Sequence, residues 1–543
     1  MASPDGLRNG VVEKAAKGGG GGERAAIARR ASIVIAGTLS SRALGALRDA
    51  VIAATFSLRA TDAFFVAFTI PNALRVLLGE GAVSGAFIPV YTEVREKEGP
   101  ERARLFYARL VGAMVLILAS VATAGVIAAP WLVTLYAGGY DAERLDLTVL
   151  LTRIVFPYIF LMGLAALGMG ALHSEKRFAV PSFAPALLNV ALIAAALGAS
   201  GLMPDVGLPA VAALAIGALV GGVAQVLVQL PVLQKVGLLV RPRLPGGDPY
   251  VKKAFGLMVP LLASLGVYQL NILLSRLFAS FLAEGSQSFL YYAQRLVEIP
   301  QGVFAFAIAS AALPTLSVLR AKGDDAAVRE TFGYGLRLAL FVAIPSTVAL
   351  AVLAEPTVTV FFGRNSFEPE HVSATAAALV MMAAGIWAVA SVRTVVPMFH
   401  AYNDTRSPVV ASAANLVVFV GTSLSLMNTL GHVGLALANS LAAFVQLVTL
   451  LFLLRRRVGP LGLTKVGKNA GRMVLCALPM GLLVYVIAGF GDWSRGGNDP
   501  ANIGIFLGAI AAGGLCYLIL ARLLRAPELD DVLGAVMRKL RRR

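Results

Sequence analysis

Runs of about twenty apolar residues recur from Ser32 to Leu524, each long enough to cross a ~30 Å hydrocarbon core as a helix. About fourteen such spans fit: residues 32–56, 62–92, 105–130, 148–172, 180–200, 208–233, 254–282, 287–318, 333–354, 373–400, 408–428, 433–454, 471–490 and 502–523. Several contain Pro or Gly, which membrane helices tolerate. Composition agrees, with 58% hydrophobic and 14% charged residues and a mean hydropathy of +0.78. Soluble domains carry roughly a quarter of their residues charged. The sequence therefore describes an all-α polytopic membrane protein.

A net charge of +17 raises the question of nucleic acid, but its placement answers it. Positive residues collect in alternate loops: Arg95, Lys97, Arg102 and Arg104 in one, Lys235, Arg241, Arg243, Lys252 and Lys253 in another, Arg455, Arg456 and Arg457 in a third. The opposite loops hold little beyond Arg59, Arg144, Arg364 and Arg495. That asymmetry is a membrane-orientation signal, putting both termini in the cytoplasm and arguing against nucleic-acid binding. Residues 1–26 are Gly-rich and apolar-poor and read as a disordered cytoplasmic tail, and 525–543 as a basic one. No cleavable signal peptide is evident. Cys476 and Cys516 fall in the last two spans as packing residues.

The spans repeat. "TDAFFVAF" with "SGAFIPVYTEV" resembles "SQSFLYYA" with "ASAALPTLSVL", so that Phe56, Phe64 and Pro89 correspond to Phe281, Phe289 and Pro314 at one constant shift. "RFAVPSFAPALLN", ending at Asn189, resembles "RSPVVASAAN", ending at Asn415, and Gln225 corresponds to Gln446; the shift drifts slightly between these landmarks, as loop-length changes cause. Each copy holds six spans. An even number returns the chain to its starting side, so the copies share one orientation about a pseudo-two-fold axis along the membrane normal. Residues 27–233 form the first six-helix lobe, 234–457 the second, and 458–524 two further helices outside the repeat.

Charges inside this apolar framework cost roughly 2.5–3.5 kcal/mol each at the bilayer centre, so they mark a polar interior. The clearest are Arg42, Arg48 and Asp49 in the first span, Asp62, Arg75 and Glu80 around the second, and Arg295 and Glu298 in the eighth. On a helical wheel Arg42, Gly45 and Asp49 share a face, with Arg48 about 120° away from Arg42, so Arg42 and Asp49 are expected to engage a neighbouring helix while Arg48 points elsewhere. Arg295 and Glu298, three apart, can touch. For any one of these residues a structural ion pair or snorkelling side chain is the alternative. Arg42, Arg48, Arg75 and Arg295 together suit a phosphate-bearing anionic substrate, since guanidinium stays protonated and offers a planar fork of donors. No metal site is expected: His173, His371, His400 and His432 lack ligand spacing. "GLTKVGKN" misses the Ser/Thr of a phosphate-binding loop, and "GALVG" reads as helix packing.

At these residues the sequence resembles the MurJ (MviN) family of lipid II flippases, in the multidrug/oligosaccharidyl-lipid/polysaccharide exporter superfamily. The matching stretches are "SRALGALRDAVIA", "ATDAFFVAFTIPNALRVLLGEGAVSGAFIPV", "FPYIFLMGLAALGMGALHSEKRFAVPSFAPALLN" and "FLYYAQRLVEIPQGVFAFAIASAALPTLS". The resemblance implies a V-shaped fourteen-helix protein with a cationic central cavity and a lipid-tail groove beside the last two helices. It also implies that Arg48, Arg75 and Arg295 bind a diphosphate head group, that Arg42, Asp62 and Glu80 are charged positions tied to function or gating, and that Glu298 is the family's acidic position after the arginine. Gln294 departs from relatives that have Asp there. Span seven, Ala254 to Leu282, lacks the carboxylate that some members use for sodium, which weakens the case for sodium coupling.

The expected function is transport, not enzymatic catalysis: translocation of the undecaprenyl-diphosphate-linked peptidoglycan precursor across the bacterial inner membrane by alternating access. No cofactor is expected, and the energy source is the membrane potential or a cation. The expected partners are lipid II, membrane lipids and cell-wall synthesis proteins. A flippase for another polyprenyl-diphosphate oligosaccharide and a non-transporting membrane scaffold are the alternatives.

Overall fold

The computed structural model describes residues 32–77, 85–301, 319 and 322–529. These residues are almost wholly helical. The helices are α1 (32–55), α2 (Leu58–Val76), α3 (Ile88–Glu98), α4 (Pro100–Ala137), α5 (Ala142–Val155), α6 (Tyr158–Ser174), α7 (Ala179–Ala194), α8 (Ala212–Leu227), α9 (Leu230–Lys235) and α10 (Pro249–Ser280). They continue with α11 (286–301), α12 (Asp325–Val352), α13 (Ala354–Phe362), α14 (Pro369–Ala383), α15 (Ile386–Ala401), α16 (Arg406–Val458), α17 (Leu463–Ala488) and α18 (Pro500–Leu523). Eight stretches among the described residues are long and apolar enough to cross a membrane unaided, or nine with the bent pair α14–α15.

That count is compatible with fourteen spans: α1 carries Arg42, Arg48 and Asp49, α2 carries Arg59, Asp62 and Arg75, and α11 is described only to residue 301. The 53-residue α16 is also two helices: Gly431, at φ 56° and ψ −136°, breaks it between the spans expected at 408–428 and 433–454. Pro157 separates α5 from α6 within one stretch.

Two compact units emerge, interleaved along the chain. The first comprises Met1–Arg48, Pro71–Ala128 and Thr152–Ala263. Its interior depends on close helix approach: a Cβ on Gly217 would lie 2.6 Å from that of Ala195, and one on Gly221 2.9 Å from the Leu188 backbone. The GxxxG pattern thus seats α8 against α7. On the first turns of α4, Arg102 and Arg109 both pair with the buried Asp248, at 3.0 and 2.9 Å. Burial pushes the Asp248 carboxyl up, but hydrogen bonds from both arginines and from the Tyr250 amide outweigh it and hold the group below the usual carboxylate range.

The second unit comprises Asp49–Ile70, Ala129–Leu151 and Ser264–Arg543. One of its cores brings Phe332, Leu336 and Phe341 of α12 against Met473, Cys476 and Met480 of α17 and Tyr517 of α18, whose hydroxyl donates to the Phe341 carbonyl at 2.8 Å. Both cysteines are free thiols in this packing. The outward surfaces of α17 and α18 remain apolar, with Leu475, Leu482, Leu507 and Leu515 exposed. In a membrane such a surface meets lipid at no hydrophobic penalty.

Candidate functional site

In the first unit the site grows from an asparagine in an otherwise apolar helix. Asn189 of α7 is buried, and both ends of its amide are used: Nδ2 donates to the Ser41 carbonyl of α1, and Oδ1 accepts from Arg48 Nη1, each at 2.9 Å. An arginine taken out of water must satisfy its donors on protein, and a carbonyl aimed at the guanidinium does that while leaving the positive charge intact. Gly45 of α1 stands opposite this amide, and a Cβ there would lie 3.8–3.9 Å from the Asn189 side chain. Arg75 of α2 is held likewise by a neutral amide, donating from Nε to Asn72 Oδ1 at 3.0 Å. Arg48 and Arg75 both act electrostatically on the Tyr158 hydroxyl, beside Gln225.

Arg295 of α11 lies in the second unit and is held differently. Its Nη1 donates to Glu298 Oε2 at 2.8 Å, its Nε lies 3.5 Å from Asp49 Oδ2, and its guanidinium sits over the Tyr291 ring at 5.0 Å. The Tyr291 hydroxyl accepts from Arg295 Nη2 and donates to Asp49, while its ring stacks on Phe65 at 3.8 Å. The expected Arg295–Glu298 contact is present, and Asp49 does engage a neighbouring helix. Arg42, on one face of α1 with Asp49, is exposed, and no ion pair is seen for it among the described residues. An exposed guanidinium needs no buried counter-charge. Glu80 lies outside the described residues.

Asp62 of α2 performs a capping role. Its carboxylate accepts from the backbone amides of Gly285 and Ser288, both at 2.8 Å, and from the Ser288 hydroxyl at 2.7 Å. These are orphan donors at the start of α11, so a carboxylate from one helix caps another. Gly285 is required here: it has φ +88°, and a Cβ would lie within 2.7 Å of Phe289 and Leu58. Around this cap Arg144 pairs with Glu284 at 2.7 Å, and Arg59 with Asp141, Glu143 and Glu284 at 2.6, 3.0 and 3.5 Å. Glu284 follows Arg59 by the same shift that carries Phe64 to Phe289.

The family model for lipid II flippase MurJ matches residues 52–496. The chain belongs to the MurJ family. A "Probable lipid II flippase MurJ" of Vibrio cholerae is 35% identical over 77% of this chain and 81% of its own length. The "Lipid II flippase MurJ" of Burkholderia cenocepacia is also 35% identical, over 79% and 84%. Among solved structures, a lipid II flippase MurJ in an inward closed conformation shares the fold, with a TM-score of 0.75 at 24% identity, covering 90% of this chain and 98% of that one. An inward-facing multidrug resistance MATE family transporter of the MOP superfamily aligns at a TM-score of 0.62 and 17% identity, covering 77% and 95%. The chain is therefore a multi-pass membrane protein of a transporter family, with the MurJ fold.

The sequence leaves several bonded polar residues without an assigned role. Asn189 and Gln225 entered only as landmarks of the repeat, although an amide in an apolar helix is itself a signal of interhelical bonding. Arg276 donates to the Gln287 side chain and backbone and lies 5.8 Å from the Tyr291 ring centre; Arg393 reaches Gln301; Arg337 pairs with the buried Glu528 at 3.1 Å. Spacing along one helix carried no information about those partners.

Proposed function

We propose that this protein is a lipid II flippase of the bacterial inner membrane, carrying the undecaprenyl-diphosphate-linked peptidoglycan precursor from the inner to the outer leaflet with both termini cytoplasmic. The observation that carries the reading is the family match over residues 52–496, which includes Arg75 and Arg295 and begins just after Arg48. The chemistry supports it. A diphosphate-sugar-peptide head group is too polar to cross hydrocarbon unaided, while its polyprenyl tail can remain in lipid. Arg48 and Arg75 beside Tyr158, and Arg295 on Tyr291, bind the anionic head group, with Arg42 an outlying contributor. Asp49 and Glu298 hold Arg295 in place. Asp62 and Glu80 belong to the charge pairs that govern opening.

The site is exposed alternately to the two faces of the membrane. Movement of net charge lets the membrane potential, worth about 2.3 kcal/mol per charge per 100 mV, drive the cycle. Clamped-potential vesicles check this: flipping rates indifferent to voltage refute it and leave a cation as the energy source. Cell-wall synthesis proteins that consume the product are the partners proposed.

Complementation is the decisive test. In cells depleted of their own flippase, the protein is expected to restore peptidoglycan synthesis. Failure there, with restoration of another polyprenyl-diphosphate glycan in its stead, would reassign the substrate; function retained after charge reversal at Arg48, Arg75 and Arg295 would indicate a scaffold.

A further inference from the structure

The two copies of the repeat treat one asparagine in opposite ways. In the first, Asn189 offers Oδ1 to Arg48, and Gly45 stands against the amide. In the second, Asn415 offers Oδ1 to Asn271 Nδ2 at 3.0 Å, and its own Nδ2 donates to Gln446 Oε1 at 3.2 Å. The correspondence is spatial: Gly45 faces Asn189 as Asn271 faces Asn415, one residue off the shift that carries Phe56 to Phe281. The second copy thus fills the glycine's place with an amide that occupies the asparagine carbonyl, whereas the first leaves that place empty of side chain and gives the carbonyl to a cation.

We infer that Asn189 is a positioning residue that aims the Arg48 guanidinium at the anionic head group, and that glycine at position 45 is what reserves its carbonyl for that purpose. The inference rests on the proposed role of Arg48. Its physical content is twofold. A carbonyl acceptor fixes the planar guanidinium without adding the negative charge that would compete with a diphosphate. With Nδ2 engaged on the Ser41 carbonyl, the amide cannot rotate, so Oδ1 is held pointing at Arg48.

Gly45→Asn transplants the second copy's arrangement into the first without altering charge. A Cβ at position 45 meets Asn189 only at ordinary van der Waals distance, so the backbone there accepts a side chain that begins beside the Asn189 amide. The full-length protein in lipid nanodiscs is titrated with undecaprenyl diphosphate and, separately, with undecaprenol, for Gly45→Asn, Asn189→Leu and Arg48→Gln. Gly45→Asn and Asn189→Leu are each expected to weaken diphosphate binding about five- to tenfold, leaving undecaprenol binding within twofold; a merely structural role would move both probes together. Should Asn189→Leu fail to fold, Gly45→Asn decides alone. Wild-type diphosphate affinity in Gly45→Asn, alongside a loss in Arg48→Gln, overturns the positioning role and leaves the Arg48 reading intact. Wild-type affinity in Arg48→Gln overturns both.

Discussion

Arg48 and Arg75 of the first unit donate to neutral amides, whereas Arg295 of the second unit lies among carboxylates. Arg48 is held by Asn189 and Arg75 by Asn72, while Arg295 has Glu298 at 2.8 Å and Asp49 at 3.5 Å. A carbonyl acceptor adds no negative charge of its own beside a guanidinium. One flanked by two carboxylates meets an incoming diphosphate only after part of its charge has been offset, so its binding is weaker and its release easier. If these arginines bind the head group as proposed, the contrast predicts different tasks for the units, capture at Arg48 and Arg75 and modulation at Arg295.

The largest expected effect tests that division directly. Arg48→Glu or Arg75→Glu should abolish complementation, because each replaces a favourable charge by a repulsive one at low dielectric. Arg295→Gln should cost less, on the order of tenfold in transport, because it removes a cation together with the need to balance Asp49 and Glu298. Equal losses at Arg48→Gln and Arg295→Gln, measured as flipping rates in vesicles, would break the comparison.

Next in size is the cap. Asp62 accepts three hydrogen bonds at the start of α11, the helix that carries Arg295. Asp62→Ala should destabilise the folded protein by about 3–5 kcal/mol, since it strands buried donors and leaves Arg144 without part of its counter-charge. Asp62→Asn keeps the shape but turns one end of the side chain into a donor facing amide donors, so an intermediate loss is expected. Thermal unfolding in detergent reads both; an Asp62→Ala protein as stable as wild type would remove the cap from the account of how Arg295 is placed.

These assignments also show what was legible in the sequence. The spans were, because a ~30 Å hydrophobic layer imposes a length that apolar runs cannot hide, and even the break at Gly431 fell between two expected helices. The repeat was legible too, through Phe64 and Phe289 and the paired asparagines. Partners were not. Asp62 looks on paper like an isolated intramembrane acid, yet its donors are Gly285 and Ser288, in the other half of the chain; Arg42 looks like a companion of Asp49, yet Asp49 turns to Arg295 and Tyr291. Periodicity fixes which way a side chain leaves its own helix. It says nothing of what the facing helix presents, and for charged groups the facing helix decides the chemistry.

The smallest effect is expected where the repeat has been closed on itself. Asn271, Asn415, Gln446 and Ser412 form a chain of neutral hydrogen bonds in the second unit, each donor meeting an acceptor of its neighbour. Polar side chains bonded between helices in a membrane contribute only about 0.6 kcal/mol on average, with a maximum near 1.7, because the separated helices find other partners. Asn415→Leu should therefore lower stability by about 1 kcal/mol and leave flipping within two- to threefold of wild type. Asn189→Leu, the same substitution at the equivalent position of the first copy, should cost a similar increment of stability but a much larger share of transport, since what it removes is the acceptor that orients Arg48. The ratio of transport loss to stability loss separates an amide that glues helices from one that aims a cation, and equal ratios at the two positions would mean that the copies differ in sequence without differing in task.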